Sequence, residues 1–255
     1  SVLLNHSLTN EKKISVFNEF DLSASDLLNR SGATLEATNM NLNLSSSIAN
    51  QGTLHASALS IVTPTLTNDA NIIADTLSIY GTDVTNNALL KGDTSTYITT
   101  TNSITNNGGI IGGNQLTLHA NTLTNNQVLY SANAIDLSAA DTLRNTQGSS
   151  IISGGTIAIH DTGTLSNEAA TIQSDGDMII QSRNVENIST NVPTKTSTSS
   201  STSELITLSL LTADMRNTST TTDTIDKSGY TSAFILSGGN MSIDAAIHNR
   251  YSMIA

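Results

Sequence analysis

Few side chains in this sequence are equipped for chemistry. Five histidines, His6, His55, His119, His160 and His248, are the candidate general bases or metal ligands, and no cysteine is present to act as nucleophile or thiolate ligand. Asp136, Asp141, Asp161, Asp175 and Asp177, with Arg144 and Arg183, come nearest to an acid-base set. Cleavage of an acidic polysaccharide would use such residues: clustered Asp for calcium, and Arg or Lys as base and substrate clamp. Whether they can cooperate depends on the elements that carry them.

Those elements are announced by asparagine. An apolar-x-Asn pattern recurs at Asn10, Asn29, Asn50, Asn68, Asn86, Asn106, Asn125, Asn145, Asn167 and Asn187, always 18 to 22 residues apart. So narrow a period marks a repeat architecture. Within it apolar residues alternate, as where Ile157 and Ile159 flank Ala158 or Leu116 and Leu118 flank Thr117, the pattern of strands with one buried face. A small or polar turn follows the Asn, then a second short strand (149–153 or 170–174), then Gly or Asn. A hairpin repeat would instead show tight Asn-Gly turns between strands of equal length. The expected fold is all-β: a right-handed parallel β-helix with about 20-residue coils.

Stacked coils bring equivalent residues about 4.8 Å apart. The amides of Asn29, Asn50, Asn68, Asn86, Asn106, Asn125, Asn145, Asn167 and Asn187 are therefore expected to hydrogen-bond to one another as a structural ladder rather than to contact a ligand. The same spacing disperses the chemistry. His119 and His160 occupy similar places two coils apart, about 10 Å, too far to share a metal that binds His nitrogen at about 2.0–2.1 Å. The aspartates fall in different parts of their coils, and Arg144 and Arg183 fall near the ladder turn. No catalysis, cofactor or required metal is expected.

The Gly-Gly pairs at 108–109, 112–113, 154–155 and 238–239 lack both the Asp-bearing nonapeptide of calcium-binding β-rolls and a phosphate-loop Lys, so they read as turns. Six Asn-x-Ser/Thr sequons, at Asn5, Asn29, Asn43, Asn187, Asn217 and Asn240, follow from composition alone.

That composition is extreme. Ser, Thr and Asn number 35, 38 and 28 of 255 residues, while aromatics are 3% and charged residues 12%, half the roughly 25% of ordinary domains. It is an alphabet of pleated surfaces and turns. The net charge of −11, with only five Lys and five Arg, argues against nucleic acid as a partner and against an anionic lipid surface. No run reaches the roughly 18 apolar residues of a membrane span, so membrane insertion is not expected. Absence of Cys is compatible with export, although a large core also needs no disulfide. The repeat pattern runs to both ends of the chain, which therefore reads as an interior fragment of something longer.

The rhythm fails after Asn187 and resumes with a coil ending at Asn249, 62 residues later where about 20 would serve. The expected domains are β-helix coils over 1–188, a Ser/Thr-rich excursion over 189–232 and resumed coils over 233–255. Thr-rich alternation on both sides of "LLTADM" predicts an antiparallel hairpin for the excursion. Loops released from the core often carry recognition, and Asp223, Asp226 and Tyr230 are the candidate partner-binding residues, suited to a polar protein or glycan surface.

The repeated stretches "LRNTQGSSIISGGTIAI", "LSNEAATIQSDGDMII" and "ITNNGGIIGGNQLTL" resemble the haemagglutinin repeat of filamentous haemagglutinins and contact-dependent growth inhibition exoproteins of Gram-negative bacteria. The resemblance covers residues 8–189 and 234–255; the Ser/Thr-rich interruption departs from it. It implies a long secreted filament at the bacterial cell surface, exported through an outer-membrane transporter of the two-partner type and carrying adhesive regions. Neither the family's secretion signal nor a toxin is visible here. The expected function is thus a structural shaft and adhesin segment that meets a cell-surface receptor or glycan on a target cell. The alternative is a polysaccharide-processing β-helix enzyme.

Overall fold

Alternation of apolar and polar residues obliges each coil to bury every second side chain, and the strands that do so are long. The computed structural model describes residues 1–161, 163–190, 194–209, 212–226 and 230–255. Lys13–Asn29, Thr34–Asn50, Thr53–Asn68, Asn71–Asn86 and Leu89–Asn106 each run 16 to 18 residues around a bend of the coil. Further on, the equivalent path breaks into shorter strands such as Gly109–Gly112 and Gln115–Asn125. Nineteen strands join in one sheet, every pairing parallel and each strand bonded to its equivalent one coil away. The result is a β-solenoid of about 11 turns with coils of roughly 20 residues and no helix among the described residues.

Parallel in-register stacking converts the sequence repeat into columns of like residues. One column runs Leu35, Leu54, Ile72, Leu90, Ile110, Leu129, Ile151, Ile172 and Ile235. A second joins Leu42, Ile61, Ile79, Ile98, Leu118, Leu137, Ile159 and Ile180. A third passes through Ile48, Leu66, Val84, Ile104, Leu123, Leu143, Leu165 and Val185. All are buried and form one continuous apolar core. Branched aliphatics suit such stacks because they are stiff at χ1 and pack well on a pleated surface. Thr96 interrupts a fourth column of Met, Leu and Ile, and its buried hydroxyl donates to the carbonyl of Ile111 at 2.7 Å.

Asparagine fills one further column. Asn10 through Asn187 pair coil to coil without a slip, and Asn187 pairs with Asn249. Each Nδ2 donates to the Oδ1 of the next Asn at 2.7 to 2.9 Å. Its second hydrogen goes to a backbone carbonyl beyond the next turn, as from Asn68 to Leu89 and from Asn145 to Thr171. Buried amides need this completeness, since a polar group left unpaired in the interior costs about 1–3 kcal/mol. The turns after the ladder differ in length. The longer ones contain a left-handed residue, Gly32 (φ 78°), Gly148 (φ 80°), Ala169 (φ 48°) or Tyr251 (φ 53°), a conformation that glycine adopts without the penalty other residues meet.

The excursion is inserted at one of these turns. The chain divides into a solenoid unit, Ser1–Ser189 with Ser232–Ala255, and a second unit, Thr190–Thr231. Within the solenoid the departure and return are stitched together: the amide of Ala233 donates to Ser189 Oγ at 3.0 Å, and Phe234–Ser237 pairs in register with Thr171–Ser174. The second unit is a hairpin in which Thr194–Ser209 pairs antiparallel with Thr212–Asp226. The residues between those strands lie outside the described ones.

Because each ladder amide serves two neighbours, Asn145→Ala orphans a donor from Asn125 and an acceptor on Asn167. Thermal unfolding should report a loss of about 1–3 kcal/mol with the β-type circular dichroism spectrum unchanged. An unaltered melting temperature would show that water reaches the stack.

Candidate functional site

Asp223 lies on the second hairpin strand opposite Ser197, whose hydroxyl donates to it at 2.5 Å, and Lys195 Nζ approaches its other oxygen at 2.8 Å. In an antiparallel ribbon such diagonal neighbours share a face. The Lys195 ammonium first, and then the Ser197 hydroxyl, hold the Asp223 carboxyl below its ordinary pKa, so it is ionised at neutral pH. Asp226 occupies the last position of the same strand, opposite Thr194. Tyr230 is half-buried beyond that strand, next to Thr231, which bridges to Thr190. The described parts of the hairpin, Lys195 to Ser201 and Thr218 to Thr224, expose every residue on both faces.

The solenoid distributes the remaining chemistry as discrete points. His119 and His160 stand in one outward row with Ser138 between them, hence two coils apart. His160 Nδ1 meets Gln181 Oε1 at 2.9 Å. Asp177 accepts the amide of Asn240 at 2.7 Å. Arg144 is held by Glu168 at 2.9 Å, and Arg183 is exposed near the bend that precedes the ladder turn. Among the described residues no three His, Cys, Asp or Glu side chains are grouped to hold a metal ion.

Two arrangements on the outer walls were not legible in the sequence. Over four successive coils the residue after the ladder Asn forms a second, exposed chain: Asn87 donates to Asp69 at 2.8 Å, Asn107 to Asn87 at 2.8 Å and Asn126 to Asn107 at 2.7 Å. Its donors point towards the N-terminal coils, opposite to the buried ladder. The other is an aromatic group. Tyr80 and Tyr97 have ring centroids 5.5 Å apart, and Tyr97 and His119 are 5.9 Å apart, edge to face. A coil alignment puts Tyr80 in the same row as His119, but Tyr97 belongs to the neighbouring row, so only the packing brings the three together.

Carboxylates with shifted titration sit at the surface. Hydroxyls of Ser47, Ser25, Ser46 and Ser7 lower the pKa of Asp26, and Lys13 lowers that of Glu36. Burial pushes Glu168 upward, but Arg144 and Ser166 outweigh it. Carboxyls lowered in the folded state contribute stability above their unfolded pKa of about 4, which is lost as pH falls through the folded values. The melting temperature is therefore expected to stay level between about pH 5 and 9 and to decline only below about pH 4. A transition centred near pH 6 would instead make a histidine the controlling group.

What this geometry establishes is a β-solenoid, a scaffold that serves shafts and enzymes alike. No protein-family model matches the chain, and no curated protein or solved structure is significantly similar to it.

Proposed function

We propose that this chain is a segment of a secreted bacterial surface filament, in which the solenoid is the shaft and the inserted hairpin makes an adhesive contact. One observation carries the reading: the ladder continues from Asn187 to Asn249 at 2.9 Å across an insertion of some forty residues. The stack does not use the hairpin to maintain register, so the insert can vary without disturbing the core.

The chemistry of the hairpin suits an adhesive role. Its described part offers hydroxyls on both faces, with Lys195 and Asp223 paired on one of them, and a two-stranded ribbon of this kind is marginally stable in water by itself. Among the described residues its two strands pair only with each other, and in this reading their outer edges accept backbone pairing from a partner. The partner in this reading is a receptor or glycan on a target cell. Export through an outer-membrane transporter of the two-partner type belongs to the same proposal and rests on the resemblance of the repeats.

Replacing residues 194–227 by a short linker is expected to leave the melting temperature and β-spectrum of the solenoid in place while abolishing attachment to target cells. Undiminished attachment would move recognition elsewhere. The enzyme reading is tested separately, by incubating the intact chain with polygalacturonate and calcium. No unsaturated product is expected, and sustained turnover would reassign the protein.

A further inference from the structure

We infer that the outer wall around Tyr80, Tyr97 and His119 is a binding site for a neutral glycan, lying along the solenoid and distinct from the hairpin. The inference rests on the adhesive reading only for its biological setting, since the site belongs to the isolated chain.

Aromatic residues are 3% of the sequence, with five tyrosines in all, yet two of them meet here with a histidine. Tyr80 is 43% exposed, and Tyr97 and His119 are half-buried. These side chains are not needed to fill the interior, where the columns of the same coils supply Ile79, Ile98 and Leu118. The planes of Tyr80 and Tyr97 are inclined at 48° and those of Tyr97 and His119 at 73°, which makes a faceted shelf. A ring with an apolar face and a polar tip matches a pyranose, whose C–H face stacks on the ring while its rim of hydroxyls seeks hydrogen bonds.

The surroundings select the class of sugar. Beside Tyr80 lies a shallow hollow of about 270 Å³ bordered by Val62, Pro64 and Gly81, just below the roughly 300–1,000 Å³ of small-molecule pockets, so it suits one sugar ring. Polar groups extend the wall in both directions. On one side a trough contains Asn41, Ser60 and Ser78. On the other, in the same row as Tyr97 and two coils along, stands Asp136, with a buried Oδ1 that has no hydrogen-bond partner. Such unsatisfied acceptors are uncommon in folded proteins.

The two rows that carry these residues contain no Lys or Arg among the described residues. A carboxylated or sulfated glycan would meet carboxylates and no cation. A neutral one meets hydroxyls, amides and rings. The coil spacing of about 4.8 Å is close to the length of one sugar unit in an extended β-linked chain, so successive sugars would meet successive coils.

Tyrosine fluorescence can report occupancy because the chain has no Trp. The intact chain is titrated with a panel of neutral β-linked hexasaccharides, cellohexaose and chitohexaose among them, and with polygalacturonate as the acidic comparator. A neutral member should bind and perturb the signal, with saturation transfer in NMR passing from tyrosine ring protons to the sugar. Tyr80→Ala and Tyr97→Ala should each weaken binding about tenfold, whereas Tyr97→Phe should retain it. Deleting residues 194–227 should leave glycan affinity unchanged, so failure of the hairpin reading and failure of this one are told apart. Absence of binding by every neutral glycan, tighter binding of polygalacturonate, or affinity that survives both alanine variants would each overturn the inference. Saturation transfer on the unmutated chain keeps the test valid if an alanine variant misfolds.

Discussion

The buried amide stack is the constraint on which the solenoid depends. An aliphatic column asks its neighbours for matching volume and shape, but an amide has two hydrogens and an acceptor that must all find partners where water is absent. A coil that slipped by one residue would turn its apolar set outward and leave two neighbouring asparagines short of a bond. The ladder therefore pins one residue in each coil and leaves the others free to adjust. Adjustment occurs at the bends, where pairing shifts between Val16 and Glu19, Asn43 and Ser47, Thr99 and Ser103, and Gln181 and Asn184. Variation of the Asn spacing between 18 and 22 residues is absorbed there and in the ladder turns.

The fold class was readable because this constraint is periodic. Asn followed an apolar residue at a nearly fixed interval, and alternation around it assigned the inward side chains. What could not be read was anything that depends on contact between different rows. Tyr97 reaches Tyr80 and His119 through side-chain packing, for which the repeat has no signature. The exposed chain from Asp69 to Asn126 was hidden by the abundance of Asn. Residues 195–201 and 218–224 of the hairpin are all exposed, so no alternation of buried positions marks their register, and the pairing of Asp223 with Lys195 and Ser197 was equally invisible. Asp223, Asp226 and Tyr230 stand out in the excursion by residue type alone, whereas the ladder has both type and period.

A division of labour follows between interior and wall. Inward positions are nearly fixed in type, and each coil makes the same use of Leu, Ile and Asn. Outward positions meet solvent and one another only, so Ser, Thr, Tyr, His and Asp can be exchanged with little effect on the stack. Low charge, a defect in most soluble domains, is accommodated because Asn, Ser and Thr hydrate the walls. Surface chemistry can therefore change along the solenoid while the scaffold beneath it stays constant.

The orientation of the bonds has a mechanical consequence. Backbone pairing and amide ladder alike run along the solenoid axis, so tension applied to the two ends strains every junction between coils, and a terminal coil, held by one neighbour only, yields first. When a terminal coil of about 20 residues lets go, it releases on the order of 65 Å of extended chain in place of a 4.8 Å step. The remaining coils keep their own neighbours and their own amide bonds. A solenoid built this way yields by lengthening in increments, dissipating a pull that would tear a globular linker open in a single event.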